Sequence, residues 1–164
     1  MNALLKTAPA GPLHRPITLM DLDAVLAVEQ RAYAFPWTRG NFVDSLAAGY
    51  WTVLRTAPTG ELLGYAVAMP ALDELHLLNL TVAPAHGGQG HGSALLDRIR
   101  SHALASGARS VWLEVRTSNA SAQRLYDRRG FVRVGVRPGY YPAPDGQRED
   151  ALVMRLALAA DGLD

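Results

Sequence analysis

The sequence contains no cysteine, no apolar run long enough to span a membrane and no marked excess of either charge. The lack of cysteine excludes disulfide bonds, cysteine-ligated zinc and an acyl-cysteine intermediate on the protein. Because residues 1–16 also lack a signal-peptide pattern, we expect a cytoplasmic protein that does not act at a membrane. With 16 basic and 15 acidic residues, the net charge of +1 gives no general attraction to nucleic acid.

Length and composition predict one domain. Of the 164 residues, 49% are hydrophobic and 19% are charged, which suffices for one sizeable core. Residues 1–16 contain Pro9, Gly11, Pro12 and Pro16 without an apolar period, so we expect a mobile leader there. The domain is expected over residues 17–156, followed by a C-terminal tail over residues 157–164. The five histidines, at 14, 76, 86, 91 and 102, lack the spacing of metal ligands, so no metal site is predicted.

The hydrophobic period predicts the order of helices and strands. Two helices are expected before Tyr50, separated at Pro36, with Thr38 capping the second. Strand-forming runs follow, the first two joined by a hairpin at residues 58–60. Two further helices, one after Gly92 and one capped by Ser118 or Asn119, alternate with the later strands. The resulting order ααβββαβαββ predicts an α/β (α+β) fold with helices on a mixed sheet.

A glycine-rich turn, residues 87–92, lies between a predicted strand and a predicted helix. Free backbone N–H groups and the helix dipole at such a position attract anions, above all phosphate. The turn is not a P-loop, because no Gly-Lys-Ser or Gly-Lys-Thr follows, and its spacing does not match the dinucleotide fingerprint. Judged by glycine content alone, the turn is equally compatible with a flexible start to the helix.

Several motifs surround this turn in a fixed order. They are Val82-x-Pro84, the strand Trp112–Val115, Ser118-Asn119, and Leu125-Tyr126-x-x-x-Gly130-Phe131. In this order they resemble the GNAT acetyltransferases. More narrowly, the chain is similar to the RimI branch, which acetylates the N-terminal alanine of a small-subunit ribosomal protein. The features of that branch are Phe35-Pro36-Trp37, Leu78–Val82, Leu113–Arg116, and Tyr140-Tyr141-Pro142 with Asp145-Gly146 and Glu149-Asp150.

This resemblance, which covers residues 17–156, implies a mixed, mostly antiparallel central sheet with helices on both faces. It also implies acetyl-CoA as cosubstrate, with the pyrophosphate held by the turn and the pantetheine arm paired with a strand. The implied cofactor-binding residues are Leu80, Thr81, Val82, Gly88, Gln89, Gly90, His91, Gly92, Ser93 and Asn119. Gly87 and Gly88 stand where the family usually has longer polar side chains. Backbone N–H groups are retained, so the departure puts affinity in doubt rather than the site.

Acetylation of an amine needs a base for the nitrogen and an acid for the departing thiolate. Glu114 lies within the otherwise apolar run 111–115, where a buried carboxylate is costly without a partner. Pattern alone also allows a solvated strand glutamate. Tyr126 follows Asn119 by two helical turns and so shares its face, although a tyrosine here can equally fill a core. The resemblance makes Glu114 the general base and Tyr126 the general acid.

Two aromatic segments are candidates for gripping an extended peptide N-terminus. Phe35 and Trp37 form one, and Tyr140 and Tyr141 form the other; both are expected to be loops. Alternatively, Trp37 packs on the second helix and the tyrosines cover a sheet edge. The acidic pair at residues 73–74 is a weaker candidate for receiving a cationic peptide start. Among the histidines, only His76 is placed where it could approach the cleft, and a satisfied or solvated ring is the better interpretation of it.

Two alternatives to this enzyme remain open at the level of sequence. One keeps acetyl transfer but uses another peptide terminus, a lysine or a small amine as acceptor. The other is a non-catalytic module that binds acyl-CoA as a sensor.

Overall fold

The computed structural model describes residues 11–159 of the chain. Within that range the α-helices are α1 (Leu22–Ala32), α2 (Arg39–Ala47), α3 (His91–Ala105) and α4 (Ala120–Arg128). The strands are β1 (Leu13–Arg15), β2 (Trp51–Thr56), β3 (Leu62–Ala71), β4 (Glu74–Val82), β5 (Ser110–Arg116), β6 (Val132–Pro142) and β7 (Arg148–Ala157). Apart from β1, their order is the predicted one.

The strands form one sheet in the order β1-β2-β3-β4-β5-β7-β6. Every neighbouring pair is antiparallel except β4 and β5. Helix α1 packs on one face of the sheet together with α2, and α3 packs on β3, β4 and β5 from the other face. The predicted fold class, a mostly antiparallel sheet with helices on both faces, is confirmed. No helix of residues 11–159 is long and apolar enough to cross a membrane.

Local sequence explains where the two short helices begin. Thr38 accepts a hydrogen bond from the backbone N–H of Asn41, which caps α2. Trp37, just before this cap, packs on Phe42 one turn into the helix, with ring centroids 5.1 Å apart, which is the arrangement of a hydrophobic staple. Asn119 caps α4 through a 3.1 Å bond from the N–H of Ala122. The predicted caps of α2 and α4 are therefore confirmed.

Two hydrophobic clusters lie on opposite faces of the sheet. The larger one joins α3 and α4 to β4, β5 and β7, with Leu95, Ile99, Leu113 and Met154 at most 1% exposed. The smaller one joins α1 and α2 to β2 and β3. Residues of both clusters line the site described below, among them Leu77 and Leu113 of the larger cluster and Trp37 of the smaller one.

The expected chain-terminal boundaries are wrong in detail. Leu13–Arg15, assigned to a mobile leader, pair with β2 as the edge strand β1. At the other end, Ala157 completes β7, and Leu158 is buried and donates its N–H to the carbonyl of Arg109 at 2.9 Å. Segments of three residues are too short to show a hydrophobic period. Their structure depends on backbone pairing with residues far along the chain, which the sequence pattern does not reveal. Residues 1–10 and 160–164 of the expected leader and tail lie outside the described residues.

The segment around Tyr140 and Tyr141 is also not the loop expected. It continues β6, and Tyr141 pairs with Glu149 of β7. The strand is interrupted by register shifts after Arg133 and after Arg137. Because such irregularities break the alternating period, the sequence pattern suggests a loop where the backbone in fact keeps pairing.

Gly64 allows β3 to approach the end of β4 closely. A Cβ atom there would lie 2.6 Å from the carbonyl oxygen of Thr81 and 3.0 Å from Cδ1 of Leu95. We expect Gly64→Ala to lower the free energy of unfolding by about 1–3 kcal/mol, because backbone cannot yield as a side chain does. Urea denaturation measures the change.

Gly135, another strand glycine, is the matched control, since a Cβ there would meet no heavy atom within 4 Å. Gly135→Ala should change stability by no more than about 0.5 kcal/mol. Equal stabilities of the two variants would contradict the close approach at Gly64.

Candidate active site

The site begins where the two parallel strands at the centre of the sheet separate. Pairing between β4 and β5 runs from Glu74 and Ser110 to Leu77 and Leu113 and ends there. Both strands continue, β4 to Val82 and β5 to Arg116. The backbone of β4 after Leu77 therefore has an edge that β5 does not cover, in the interior of the sheet.

An extra residue in β4 accompanies this separation. Val67 of β3 pairs with Asn79, whereas the next residue, Ala68, pairs with Leu77, so Leu78 has no partner on β3. Such a bulge bends the strand that contains it and increases its twist. Since the bulge directly follows the last pair with β5, we attribute the divergence of the two strands to it.

A cavity of about 340 Å³ fills the opening between the strands. Its walls come from β4, β5, α1, α4, the segment before α2 and the end of β6. The lining residues are Glu29, Tyr33, Phe35, Trp37, Leu77, Leu78, Asn79, Leu80, Leu113, Glu114, Val115, Arg116, Asn119, Ala122, Tyr126, Tyr141 and Pro142. Both predicted catalytic residues are among them.

Glu114 lines the cavity with a side chain that is only 8% exposed. Its Oε2 lies 2.7 Å from Nε2 of His76, and its Oε1 lies 3.3 Å from Nε of Arg137. Burial raises the pKa of the carboxyl, but the hydrogen bond and charge of His76 and the charge of Arg137 outweigh it. The net pKa lies below the ordinary value, so Glu114 is ionised at neutral pH.

Tyr126 enters the cavity from α4 and is 7% exposed. Among residues 11–159 its hydroxyl has no hydrogen-bond partner, and because no fully buried side-chain polar atom lacks a partner, the hydroxyl is accessible from the cavity that Tyr126 lines. Burial, followed by the nearby Tyr33 and Tyr141, raises its pKa above the usual value for tyrosine. The phenol therefore keeps its proton at neutral pH and can donate it.

The glycine-rich turn leads into α3 at the end of β4. Gly88 and Gly90 have φ of 73° and 86°, a region that favours glycine, and Gly90 is the N-cap residue of α3. The first intrahelical bond runs from the N–H of Ala94 to the carbonyl of Gly90. The N–H groups of His91, Gly92 and Ser93 thus lack helical partners and are available to an anion.

Gly92 has a packing role in addition. A Cβ at this position would lie 2.9 Å from Cδ2 of Leu125, so the absence of a side chain lets α3 and α4 approach each other beside the cavity. Asn119, at the start of α4, uses its Oδ1 for capping. Its Nδ2 has no partner within the described residues and borders the cavity.

The imidazole ring of His91 contacts Arg55 of β2. Nδ1 accepts a 2.9 Å bond from Nε of Arg55, and Nε2 lies 3.2 Å from Oε1 of Gln89. Burial and then the charge of Arg55 lower the pKa of His91, in keeping with a neutral ring that accepts this bond. The side chains of His91 and Gln89 thus hold the turn, and their backbone remains open.

Three of the four aromatic residues expected to contact the acceptor line the cavity. Phe35, Trp37 and Tyr141 all line the cavity, whereas Tyr140 does not and is 43% exposed. The guanidinium of Arg116 lies 4.5 Å from the centre of the Tyr141 ring and donates to the carbonyl of Pro142 at 2.8 Å. Trp37 both packs on Phe42 of α2 and borders the cavity.

A buried carboxylate that the sequence pattern did not single out supports this wall. Glu29 of α1 is 1% exposed and accepts hydrogen bonds from the backbone N–H of Trp37 at 2.9 Å and from Tyr65 at 2.6 Å. It also accepts one from Nδ2 of Asn79 at 3.1 Å. The apolar period of α1 indicates that the helix face carrying Glu29 is buried. It does not indicate which side chains of β3 and β4 hydrogen-bond to Glu29.

Tyr33 is a second residue that sequence reasoning missed. Its hydroxyl lies 3.1 Å from the carbonyl oxygen of Leu80 and 2.7 Å from Oγ1 of Thr81. Burial raises its pKa to about 12. Tyr33 therefore fixes α1 against the free part of β4. By contrast, Asp73 and Glu74 lie at the opposite end of β4 and do not line the cavity.

The separated parallel strands, the glycine-rich turn at the start of α3, and a carboxylate and a phenol that line one cavity are the arrangement expected of an acyl-transferring enzyme. The acetyltransferase (GNAT) family model matches residues 22–131, and the chain belongs to this family. Both proposed catalytic residues and the whole glycine-rich turn lie in the matched range. Among residues 11–159 no three histidine or acidic side chains are placed to hold a metal ion.

Named relatives narrow the class to the RimI branch, which confirms the resemblance found from the motifs. The [ribosomal protein bS18]-alanine N-acetyltransferase of Haemophilus ducreyi is 38% identical over 142 residues, covering 87% of this chain and 97% of that protein. The crystal structure of the ribosomal-protein-S18-alanine N-acetyltransferase from Escherichia coli matches with a TM-score of 0.83 at 37% identity, over 93% of this chain and 99% of that one. Ard1 from Thermoplasma volcanium matches with a TM-score of 0.80 at 26% identity, over 92% and 99%.

Glu29→Gln tests the support of the cavity wall. An ionised carboxylate accepts all three hydrogen bonds, whereas the amide group of glutamine would face the N–H of Trp37 with another donor. We expect the free energy of unfolding to fall by about 1–3 kcal/mol. Glu74→Gln, at an exposed position on β4, should change it by less than about 0.5 kcal/mol. Equal urea midpoints for the two variants would refute the role of Glu29.

Proposed function

We propose that the chain transfers the acetyl group of acetyl-CoA directly to the N-terminal alanine of ribosomal protein bS18. The observation that carries the proposal is that Glu114 and Tyr126 line one opening between β4 and β5. The relatives named for this activity match nearly their whole length. A ribosomal acceptor also fits the expected cytoplasmic location.

The opening suits acetyl-CoA in three respects. The unpaired edge of β4 over Leu80–Val82 offers backbone groups to the pantetheine amides. The free N–H groups of His91–Ser93 face an anion such as the pyrophosphate. The Nδ2 of Asn119 is free for a further hydrogen bond, and it borders the cavity. These groups are backbone or amide donors, so the glycines at 87 and 88 remove side-chain contacts without removing the site.

Glu114 acts as the base in this proposal. Reference pKa values of about 7.7–8.0 for α-amines and 10.4 for lysine leave roughly a tenth of α-amines, but well under a thousandth of lysines, neutral at pH 7. The neutral amine attacks the thioester carbonyl, and the nitrogen becomes a far stronger acid as its bond to carbon forms. A carboxylate with a lowered pKa, acting directly or through water, is then a sufficient acceptor for that proton.

Tyr126 acts as the acid. Breaking the carbon–sulfur bond leaves a thiolate, whose reference pKa of about 8.5 is below that of the buried phenol. Full transfer before the bond breaks would be uphill, so the proton moves as negative charge develops on sulfur. The unpartnered hydroxyl facing the cavity fits this role.

The acceptor peptide is assigned to the side of the cavity formed by Phe35, Trp37 and Tyr141. Aromatic rings with little conformational freedom suit an extended backbone. Tyr140 is outside the cavity wall and is proposed only as an outer contact for later residues of the peptide. Transfer to other peptide termini, to lysine or to small amines, and acyl-CoA sensing without transfer, are the competing functions.

Tyr126→Phe tests whether the phenol is the acid. We expect kcat to fall by about 10²–10⁴-fold with little change in the acetyl-CoA affinity, because only a proton donor is lost. Tyr50→Phe, a tyrosine of the other hydrophobic cluster, is the matched control and should keep kcat within about twofold. Unchanged kcat in Tyr126→Phe would contradict the assignment of the acid, whereas acetyl-CoA binding without any turnover by the wild-type chain would favour a sensor.

Peptides of matched sequence test the acceptor. A peptide with the first residues of bS18 and a free N-terminal alanine should be acetylated once, at its α-amine, as read by intact mass and fragmentation. The same peptide with a blocked N-terminus and an internal lysine should gain no acetyl group.

The intact mass of small-subunit ribosomal proteins extends this test to the natural acceptor. One protein, bS18, should differ by one acetyl group between cells with and without the enzyme. Acetylation of lysine or of free small amines, with no transfer to the alanine peptide, would overturn the proposed acceptor.

A further inference from the structure

The carboxylate of Glu114 is held from two sides. His76 of β4 contacts Oε2 at 2.7 Å, and Arg137 of β6 contacts Oε1 at 3.3 Å from beyond β7. An ionised carboxylate only accepts hydrogen bonds, so Nε2 of His76 carries the proton in this pair. Both oxygens of the proposed base are thus fixed, one by each side of its strand.

The two contacts are unequal. The side chain of His76 is 24% exposed and makes the shorter, hydrogen-bonded contact, whereas Arg137 is 55% exposed and lies farther away. His76 precedes Leu77, the last β4 residue paired with β5. His76 pairs with Trp112 of β5, two residues before Glu114 and just before the two strands separate. Its ring therefore lies beside the side chain of Glu114.

We propose that His76 is a positioning residue for acetyl transfer. Its Nε2–H holds the ionised carboxylate of Glu114 in one orientation at the wall of the cavity. This inference rests on the proposed function, in which Glu114 is the base. His76 does not line the cavity and so acts through Glu114 rather than on the substrates. A carboxylate without this partner would turn about its side-chain torsions and meet the acceptor nitrogen in fewer productive orientations.

The electrostatic consequence has a definite sign. The charged and titratable groups around Glu114 are His76, Arg137, Tyr140 and Tyr141. The pKa of both tyrosines is raised, so they are neutral near pH 7. Burial raises the pKa of Glu114 and His76 opposes it. Removal of His76 therefore raises that pKa and moves the acid limb of the kcat/KM profile to higher pH.

Two substitutions separate orientation from titration. His76→Leu removes the hydrogen bond, and His76→Gln keeps an N–H donor at a similar reach but cannot take up a proton. We expect kcat toward the alanine peptide to fall at least about tenfold in His76→Leu. This is part of the rate acceleration of about 10²–10⁴-fold that a general base supplies. His76→Gln should recover most of this loss, and its acid limb should move less than that of His76→Leu.

The chain offers a matched control. His86 and Glu61 form a pair of similar length, 2.8 Å, at the surface, where Glu61 is 62% exposed. Glu61→Ala removes this pair and should leave kcat and the acid limb unchanged. Unchanged kcat and pH profile in His76→Leu, or equal losses in His76→Leu and His76→Gln, would overturn the proposal.

A second readout does not depend on the acceptor. The chain has only five glutamates, at 29, 61, 74, 114 and 149, so carboxyl-labelled glutamate gives five NMR signals, and Glu114→Gln identifies the one of interest. Its titration midpoint should rise in His76→Leu and rise less in His76→Gln. An unmoved midpoint overturns the role of His76 whatever the enzyme acetylates. A moved midpoint without peptide acetylation by the wild-type chain supports the contact and overturns the proposed function instead.

Discussion

The separation of β4 from β5 after Leu77 and Leu113 is the constraint on which the site depends. A continuous ladder would satisfy the backbone of both strands and leave no room between them. With the bulge at Leu78, the sheet acquires an internal edge, and side chains from the two strands face a common space. The opening lies at the C-terminal end of two parallel strands, next to the start of α3, so backbone donors for an anion lie beside it.

Polar networks keep the two walls of this opening apart and in place. On one wall, Glu29 ties the segment before α2 to β3 and β4, and Tyr33 contacts the carbonyl of Leu80. On the other, Glu149 accepts hydrogen bonds from the backbone N–H of Ser118 and from Arg116, and these contacts lower its pKa to about 2. Because the walls are fixed by buried or multiply bonded groups, the proposed catalytic side chains are held in place without a ligand.

Local chemistry made much of this predictable. Caps at Thr38 and Asn119, the glycines of the turn and the change of period at Tyr50 are properties of a few neighbouring residues, and the motifs around Glu114 and Tyr126 supplied the candidate roles. The bulge at Leu78, the pairing of Leu13–Arg15 and the extension of β6 through Tyr141 depend on partners far along the chain. For the same reason, the contacts of Glu29 and Tyr33 cannot be derived from α1 alone, and the contact of His76 with Glu114 cannot be derived from β4 alone.

We propose that the opening in the sheet holds acetyl-CoA against the free edge of β4. Amide hydrogen exchange with and without saturating acetyl-CoA tests it most directly, because it reports on the backbone itself. The account predicts slower exchange at residues 78–82 and at the start of α3, residues 91–93, with little change in β1 and β2. Binding of acetyl-CoA without protection of residues 78–82 would contradict it.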